Sequence, residues 1–397
     1  MSISLTDLIT DVEAKIASAD SSTSTAELLK IIKSAQAANI ISHTYDSSGV
    51  MTVDSASVGN LLFSNINNFL YVLDSAGGSW SPITGSEGGG GGSDPAFNGS
   101  QYGYAGGGDP YSSFGAKIQK FSFTSDGNAT DVGNLNTARE STAGSASSTH
   151  GYISGGGNSI GAANTDREKW SFASDANLTQ VSSSTWPVSM PLGNSSPTYG
   201  YGISGYGPTI PTIGFRGSYK FPFASDADTL VSGPGNLAFS HTHGTSVASL
   251  THGYIAAGYH NPPPYTSTNA IEKYSFANDN DAASHGTVLS YSERGRGTNS
   301  STHGYMHGQN NPGNINRIEK FPFATDGGST DVADLTEARH GADGSSSTTH
   351  GYAAGGMASP GRVNTIDKYN FAADDNATNV GDLTTAGRDG LLGQVHY

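Results

Sequence analysis

An all-β fold built from six copies of one four-stranded unit is what this sequence predicts, on three observations. The 397 residues include 54 Gly and 19 Tyr, and only 13% are charged. Gly, Ser, Asn and Asp supply turns, while Tyr, Phe, Val and Thr suit strands. A motif of Lys, aromatic, any residue, Phe, two further residues and Asp recurs six times, its lysines 47 to 53 residues apart. A second marker, Thr-His-Gly-Tyr or a shortened form of it, precedes each copy. The chain is long for a single ordinary core, which favours a repeat architecture, and the regular placement of aromatics argues against disorder.

The motif copies begin at Lys120, Lys169, Lys220, Lys273, Lys320 and Lys368 and close on Asp126, Asp175, Asp226, Asp279, Asp326 and Asp374. Thr-His-Gly-Tyr stands at Thr149 to Tyr152, Thr251 to Tyr254, Thr302 to Tyr305 and Thr349 to Tyr352. Degenerate versions lie at Tyr102-Gly103-Tyr104 and Tyr199-Gly200-Tyr201. Glycines follow each marker. A Val/Leu segment ending in arginine, as in Asp131 to Arg139 and Asp331 to Arg339, completes the unit, with Arg294 and Arg388 read as its counterparts elsewhere. One unit therefore reads as an inner strand of small residues, a strand ending in glycines, a variable loop, an aromatic strand, an Asp/Asn turn and a Val/Leu strand. Four strands in about fifty residues form one blade of a β-propeller, whose sheet buries both faces against its neighbours.

At these residues the sequence resembles the kelch repeat: glycines closing the second strand, an aromatic a dozen or more residues on, a leucine, then an arginine leading to the next unit. The resemblance spans roughly residues 95 to 397 and implies a six-bladed propeller. It departs at the fourth strand, where kelch units carry tryptophan and this chain has Val132, Val332 or Val380. The C-terminal stretch Gly390 to Tyr397 resembles one more inner strand, and the first unit lacks one, so the C-terminus is expected to complete the first blade and remove an exposed sheet edge.

Three repeated residue types carry competing readings. The turns at Asp126-Gly127-Asn128, Asp226-Ala227-Asp228 and Asp374-Asp375-Asn376 alternate oxygen ligands as calcium loops do. They lack the distant bidentate Glu, so turn capping is preferred. His150, His252, His303 and His350 sit at equivalent blade positions, which spreads them around a ring and favours a structural hydrogen bond over a shared metal. The lysine, present in every blade, is best explained by blade-to-blade pairing. Pro222 and Pro322, inside aromatic strands and lacking an N–H, predict a bulge there.

The first 82 residues lack the repeat. Leu5, Leu8, Ile9, Val12 and Ile16, then Leu28, Leu29, Ile31, Ile32 and Ala35, predict two short helices with apolar stripes that need partners, most simply other copies of the chain, a trimer being favoured. Gly59 to Phe63, Asn68 to Leu73 and Gly77 to Ile83 read as strand, strand and Gly-Trp strand. That order resembles a small module near the N-termini of structural proteins of bacteriophages, particularly marine ones, in fibres and appendages. The expected organisation is an α+β anchoring region over 1–82, a Gly-rich linker over 83–94 and the propeller over 95–397.

The resemblance implies a virion structural protein, a tail fibre or other appendage whose N-terminal region docks on other virion proteins and whose propeller meets host surface polysaccharide. The receptor-facing candidates are loop residues that follow the glycines: Tyr111, Tyr206, Tyr259, His260, Tyr265 and His307. A particle decoration protein without receptor binding is the alternative, and a sugar-active enzyme a remoter one. Without cysteine, the cysteine-linked tyrosine of kelch-like copper oxidases is excluded, and no pair of carboxylates stands apart from the turn aspartates, Glu293 with Asp279 being unsupported. No catalytic residue, metal or cofactor is assigned. The net charge of −15 repels phosphate backbones, so nucleic acid is not an expected partner. No charged-then-apolar leader and no apolar run long enough for a membrane helix is visible, so no secretion signal or membrane anchor is expected.

Overall fold

Six antiparallel sheets, each holding its strands in chain order, make up the repeat region of the computed structural model. The structure describes residues 43–45, 51–53, 61–63, 70–73, 80–82, 101–108, 113–157, 164–183, 191–205, 216–226, 231–232, 236–260, 266–278, 280–310 and 312–386. The chain divides into two compact units, Met1–Ser93 and Asp94–Tyr397. In the first, His43–Tyr45 pairs with Met51–Val53, and Leu61–Phe63, Leu70–Leu73 and Trp80–Pro82 form a three-stranded antiparallel sheet. The expected helices over residues 5–35 lie outside the described residues.

The second unit is a six-bladed propeller. Its second blade is typical: inner strand Ala143–Ala146, second strand His150–Ser154, third strand Asp166–Ser171 and outer strand Thr179–Ser183. The inner strands of blades three to six are Leu192–Ser195, Thr245–Ala248, Arg296–Asn299 and Asp343–Ser346. The described part of the first blade comprises Tyr102–Gly106, Lys117–Ser122 and Thr130–Asn134. The segment expected to complete it, 390–397, lies outside the described residues.

A meander of this kind puts the turn between strands one and two, and that between strands three and four, on one face of the ring. The loop between strands two and three and the linker to the next blade fall on the other. These are called the lower and upper faces below.

The motif residues hold the blades together, seam by seam. Midway along each seam the tyrosine of Thr-His-Gly-Tyr projects from one blade between the two aromatic rings of the next. Tyr152 lies over Phe223 at 5.1 Å, Tyr201 over Phe276 at 5.0 Å, Tyr254 over Phe323 at 4.8 Å and Tyr305 over Phe371 at 4.7 Å. Each of these tyrosines is at most 2% exposed. The two rings of the receiving strand meet edge to face, as in Trp170 with Phe172 at 86°. The first of those rings covers the glycine of its own blade's His-Gly-Tyr, which is why that glycine recurs. A Cβ on Gly151 would lie 2.1 Å from Trp170, and one on Gly253 2.2 Å from Tyr274.

Below the rings, the repeated lysine and aspartate form a clasp across the seam. Lys320 Nζ lies 2.8 Å from Asp374 and Lys368 Nζ 2.7 Å from Asp126, and Lys120, Lys169 and Lys273 pair with Asp175, Asp226 and Asp326. The lysine is thus a blade-pairing residue, and Asp279, the partner expected for Lys220, lies outside the described residues. The turn aspartate has two roles: Asp175, Asp226 and Asp374 adopt positive φ, as turn chemistry predicts, and they also take the neighbour's lysine. Two residues on, Asn177, Asn376 and Asn128 accept the backbone N–H of Asn134, Asp334 and Asp382 on the preceding blade at 3.0 Å each. The Asp-x-Asn pattern that resembles a calcium loop is therefore an inter-blade connector. The same connector accounts for the glycine after Val132 and Val380, because the turn's backbone presses on the neighbour's outer strand. A Cβ on Gly381 would sit 2.2 Å from the carbonyl oxygen of Gly127.

Above the rings, buried carboxylates complete the seam. Arg139 meets Glu168 at 2.9 Å and Arg339 meets Asp367 at 3.1 Å, all four side chains being wholly buried. The carboxylates also accept the amides of Asn136 and Thr336 at 2.9 Å. In the third seam His241 takes the arginine's place, 2.7 Å from Glu272. The third strand bulges just before this residue, between Arg167 and Glu168, Ile271 and Glu272, Ile318 and Glu319, and Ile366 and Asp367. A bulge re-aims a side chain, and here it turns the acid toward the preceding blade.

Two expectations are corrected. The bulge does not lie at Pro222 or Pro322, which are the last residues of their strands, beyond the ladder to the outer strand that ends at Lys220 and Lys320. Arg294 is not a counterpart of Arg139 either. Leu289 N donates to Glu319 as Asn136 N does to Glu168, which places Ser292 at the arginine position. Arg294 instead matches Ser141, His243 and Gly341, residues with φ near 60°.

The ring closes by the same contacts. Tyr352 of blade six stacks on Phe123 of blade one at 4.6 Å, Lys368 pairs with Asp126, and Ala129 N donates to Asp382 O at 2.8 Å. The histidines His150, His252, His303 and His350 are structural: each Nδ1 bonds the preceding threonine hydroxyl at 2.8 to 2.9 Å, and each amide bonds the serine three residues earlier.

Gly151→Ala should cost about 1–3 kcal/mol, because the indole it would displace is packed on both sides. Gly157→Ala, whose Cβ would meet nothing within 4 Å, should be close to neutral. Urea unfolding followed by tryptophan fluorescence tests the pair, and equal midpoints would contradict this role for the glycine.

Candidate functional site at the upper mouth of the channel

Lower-face turns repeat and upper-face elements do not, so the candidate site is sought on the upper face. The turns at 147–149, 196–198, 249–251, 300–302 and 347–349 are all of one length. The upper loops vary, from 308–316 in blade five to 204–217 in blade three. In blades four and five they begin and end as small ribbons, Tyr259–His260 with Thr266–Ser267 and Gln309–Asn310 with Asn314–Ile315.

In blades two, four, five and six the linker pairs with the adjoining upper loop just before the inner strand. Glu140 bridges Gly157, Thr242 bridges Tyr259, Glu293 bridges Asn310 and His340 bridges Met357. Four blades thus place Glu, Thr, Glu and His at one register position, followed by Ser141, His243, Arg294 and Gly341. The backbone is common to the blades and the chemistry is not. Around Tyr259 these groups converge: its hydroxyl bonds Glu293, and its ring meets His243 edge-on at 6.0 Å. Burial, then the bond and charge of Glu293, push the phenol up to about 12, against the opposing charge of Arg294. Below the rim, Thr142, Gly144, Leu192, Gly193, Gly244, Ser246, Arg296, Gly297 and Gly344 line a cavity in the channel.

Of the residues expected to face a receptor, Tyr259 stands on the upper face, half-buried, and His260 pairs with Thr266 in the same ribbon. Tyr111, Tyr206 and Tyr265 lie outside the described residues. His307 is corrected: it ends the second strand of blade five rather than lying in a loop, and it is wholly buried, with its ring 5.9 Å from that of Tyr369 in blade six. Burial, then Arg339 and Arg296, hold its pKa down at about 3. Arg296 is not among the residues the sequence singles out, and Glu293 enters there only in an unsupported carboxylate pair with Asp279, which lies outside the described residues. The signal for Arg296 is departure from the repeat, since other blades carry Ala143, Leu192, Thr245 and Asp343 where blade five has Arg296. No cluster of three or more His, Cys, Asp or Glu able to hold a metal occurs among the described residues.

No family model matches the sequence, and no curated protein does. Among solved structures, one described as the structure of YjhT superposes with a TM-score of 0.55 at 11% identity, covering 66% of this chain and 91% of that one. At that identity the likeness is one of fold: this chain is a β-propeller protein.

The buried imidazole gives a pH signature. Its folded pKa, near 3, lies below the roughly 6.5 of an unfolded histidine, so the unfolded chain takes up the proton first. Its contribution is complete above about pH 6.5 and is lost as pH falls toward 3. In low-salt zwitterionic buffer, His307→Leu should therefore show a smaller drop in Tm between pH 7.5 and 5 than the wild type. Equal drops would contradict this placement of His307.

Proposed function

We propose that this chain is a structural protein of a bacteriophage particle, a tail fibre or comparable appendage. In this reading residues 1–82 dock on the particle and assemble copies of the chain, and a kelch-like propeller meets the host surface. The observation that carries the recognition role is the asymmetry of the two faces. Lower-face residues are committed to the clasps and turns that hold the ring, so their sequence repeats. Upper loops carry none of those constraints and differ in length and chemistry from blade to blade, as recognition elements on a rigid scaffold do. The N-terminal reading draws on the strand, strand and Gly-Trp order, whose described strands pair as one small sheet.

A polysaccharide suits the upper rim, where the half-buried Tyr259 presents an aromatic ring with the polar side chains of Glu293 and Arg294 beside it. The full chain, applied to a panel of bacterial surface polysaccharides, should bind at least one at millimolar sugar or below. Tyr259→Ala should weaken that binding at least several-fold, and the lower-face variant His350→Ala should leave it intact. Absence of binding to every polysaccharide at millimolar sugar would overturn the recognition role.

A further inference from the structure

We propose that the upper end of blade four, with the linkers on either side of it, is a docking surface for an acidic polysaccharide. Phe239 and Tyr291 stack on its sugar rings and Arg216 pairs with a carboxylate. The proposal deepens the host-surface reading above and rests on it.

The surface shows itself as a break in the repeat. Backbone bonds from Leu135, Leu237, Val288, Leu335 and Leu383 to the head of the third strand, at Ala116, Arg216, Asn269, Asn316 and Asn364, fix the register of five linkers. Two residues on, three of the linkers carry Thr137, Glu337 and Thr385, and the one leaving blade three carries Phe239. Three residues on, they carry Ala138, Ala338 and Ala386, and the one leaving blade four carries Tyr291. Phe239 is 40% exposed and Tyr291 55%, with Leu289 exposed on the same linker as Tyr291. Of the four large apolar side chains exposed among the described residues, three thus lie on two consecutive linkers. The Phe239 amide bonds Glu272 of blade four and the Leu289 amide bonds Glu319 of blade five, so the linkers overlie the two seams that flank blade four. Both also join the start of that blade's upper loop, Thr242 bridging Tyr259 and Ser292 O accepting the Gly258 amide.

The chemistry of the partner follows from Arg216. Blade three has this arginine where four others carry Ala116, Asn269, Asn316 and Asn364. It is exposed, and its guanidinium bonds Ala238 O at 2.9 Å, one residue from Phe239. Arg139, Arg317 and Arg339 each meet a carboxylate at their linkers. The acid of this seam, Glu272, is instead taken by His241 and by the amides of Ala238 and Phe239. Among the described residues no carboxylate pairs with Arg216. An exposed guanidinium without a counter-charge, in a chain of net charge −15, favours an anionic partner, and its planar fork matches a carboxylate. An aromatic face beside it suits the C–H face of a sugar ring. A uronic acid unit carries both features, an apolar ring face and a carboxylate at its edge. A chain of such units, unlike a single sugar, has a further ring face for Tyr291.

The full chain would be titrated with polygalacturonate, alginate and hyaluronate, and with neutral dextran and amylose, at constant ionic strength, with binding followed by calorimetry. At least one acidic polymer should bind at millimolar sugar units or below. Phe239→Thr and Tyr291→Ala should each weaken that binding at least fivefold, and Arg216→Asn at least tenfold. All three introduce residues that other blades carry at the same positions, so Tm should stay at the wild-type value. Leu250→Ser, which removes the fourth exposed apolar side chain, in a lower-face turn, should leave binding intact. Binding of neutral polymers alone, or acidic binding that survives Arg216→Asn or both ring variants, overturns this surface and leaves the host-surface reading standing. Absence of binding to every polymer overturns both. If the variants abolish association of the chain with itself and leave polysaccharide binding untouched, the surface is a contact between copies and the proposal fails.

Discussion

The contact on which the rest of the ring depends is the buried tyrosine of one blade between two aromatic rings of the next. It needs a glycine beside it, because the first ring of each receiving strand lies flat across the preceding strand of its own sheet and leaves no space for a Cβ. From that requirement follow the Gly-Tyr pair, the two aromatics spaced by one residue, and the distance between markers in every unit. The ion pairs are secondary. The lysine clasps are partly exposed and contribute little each, whereas the buried pairs above the rings, such as Arg139 with Glu168, are destabilising mainly if one partner is removed. The apolar seam holds the blades, and the charges fix their orientation.

The two faces diverge in consequence. The lower turns repeat one bonding scheme: serine and threonine hydroxyls close the inner hairpin, and the aspartate and asparagine of the other turn reach to the preceding blade. That side of the ring is chemically uniform. On the upper side the buried acid and the linker amide it accepts recur in the seam, and at the rim the backbone bridges between linker and loop are shared. The side chains at those positions, Glu140, Thr242, Glu293 and His340, differ from blade to blade. Diversity therefore collects around the channel mouth, where it can be used for recognition.

The architecture was legible in the sequence because seam residues repeat, and repetition reads directly as geometry. The blade number, the aromatic strands, the pairing role of lysine and the hydrogen-bonded histidines follow from it. The site was much less legible. Alignment by motif placed Arg294 with Arg139, since linkers of unequal length bring different arginines near the same spacing, and only the hydrogen bond from Leu289 to Glu319 fixes the register. His307 reads as a loop residue because it follows Tyr305 and precedes a glycine. The strand runs one residue further than its polarity implies, as the seam accommodates an imidazole edge-on to Tyr369. The prolines point to the wrong end of the strand, where the ladder to the outer strand has already ended.

Closure of the ring between the sixth and first blades is the most direct test, since an open array would leave that seam dispensable. Tyr352→Ala at the closing seam and Tyr152→Ala at an interior one each remove a buried ring packed against two phenylalanines of the next blade. Their unfolding free energies, from urea titration of the full chain, should fall by similar amounts of about 3–5 kcal/mol. A large loss for Tyr152→Ala with little or none for Tyr352→Ala would contradict a closed six-bladed ring.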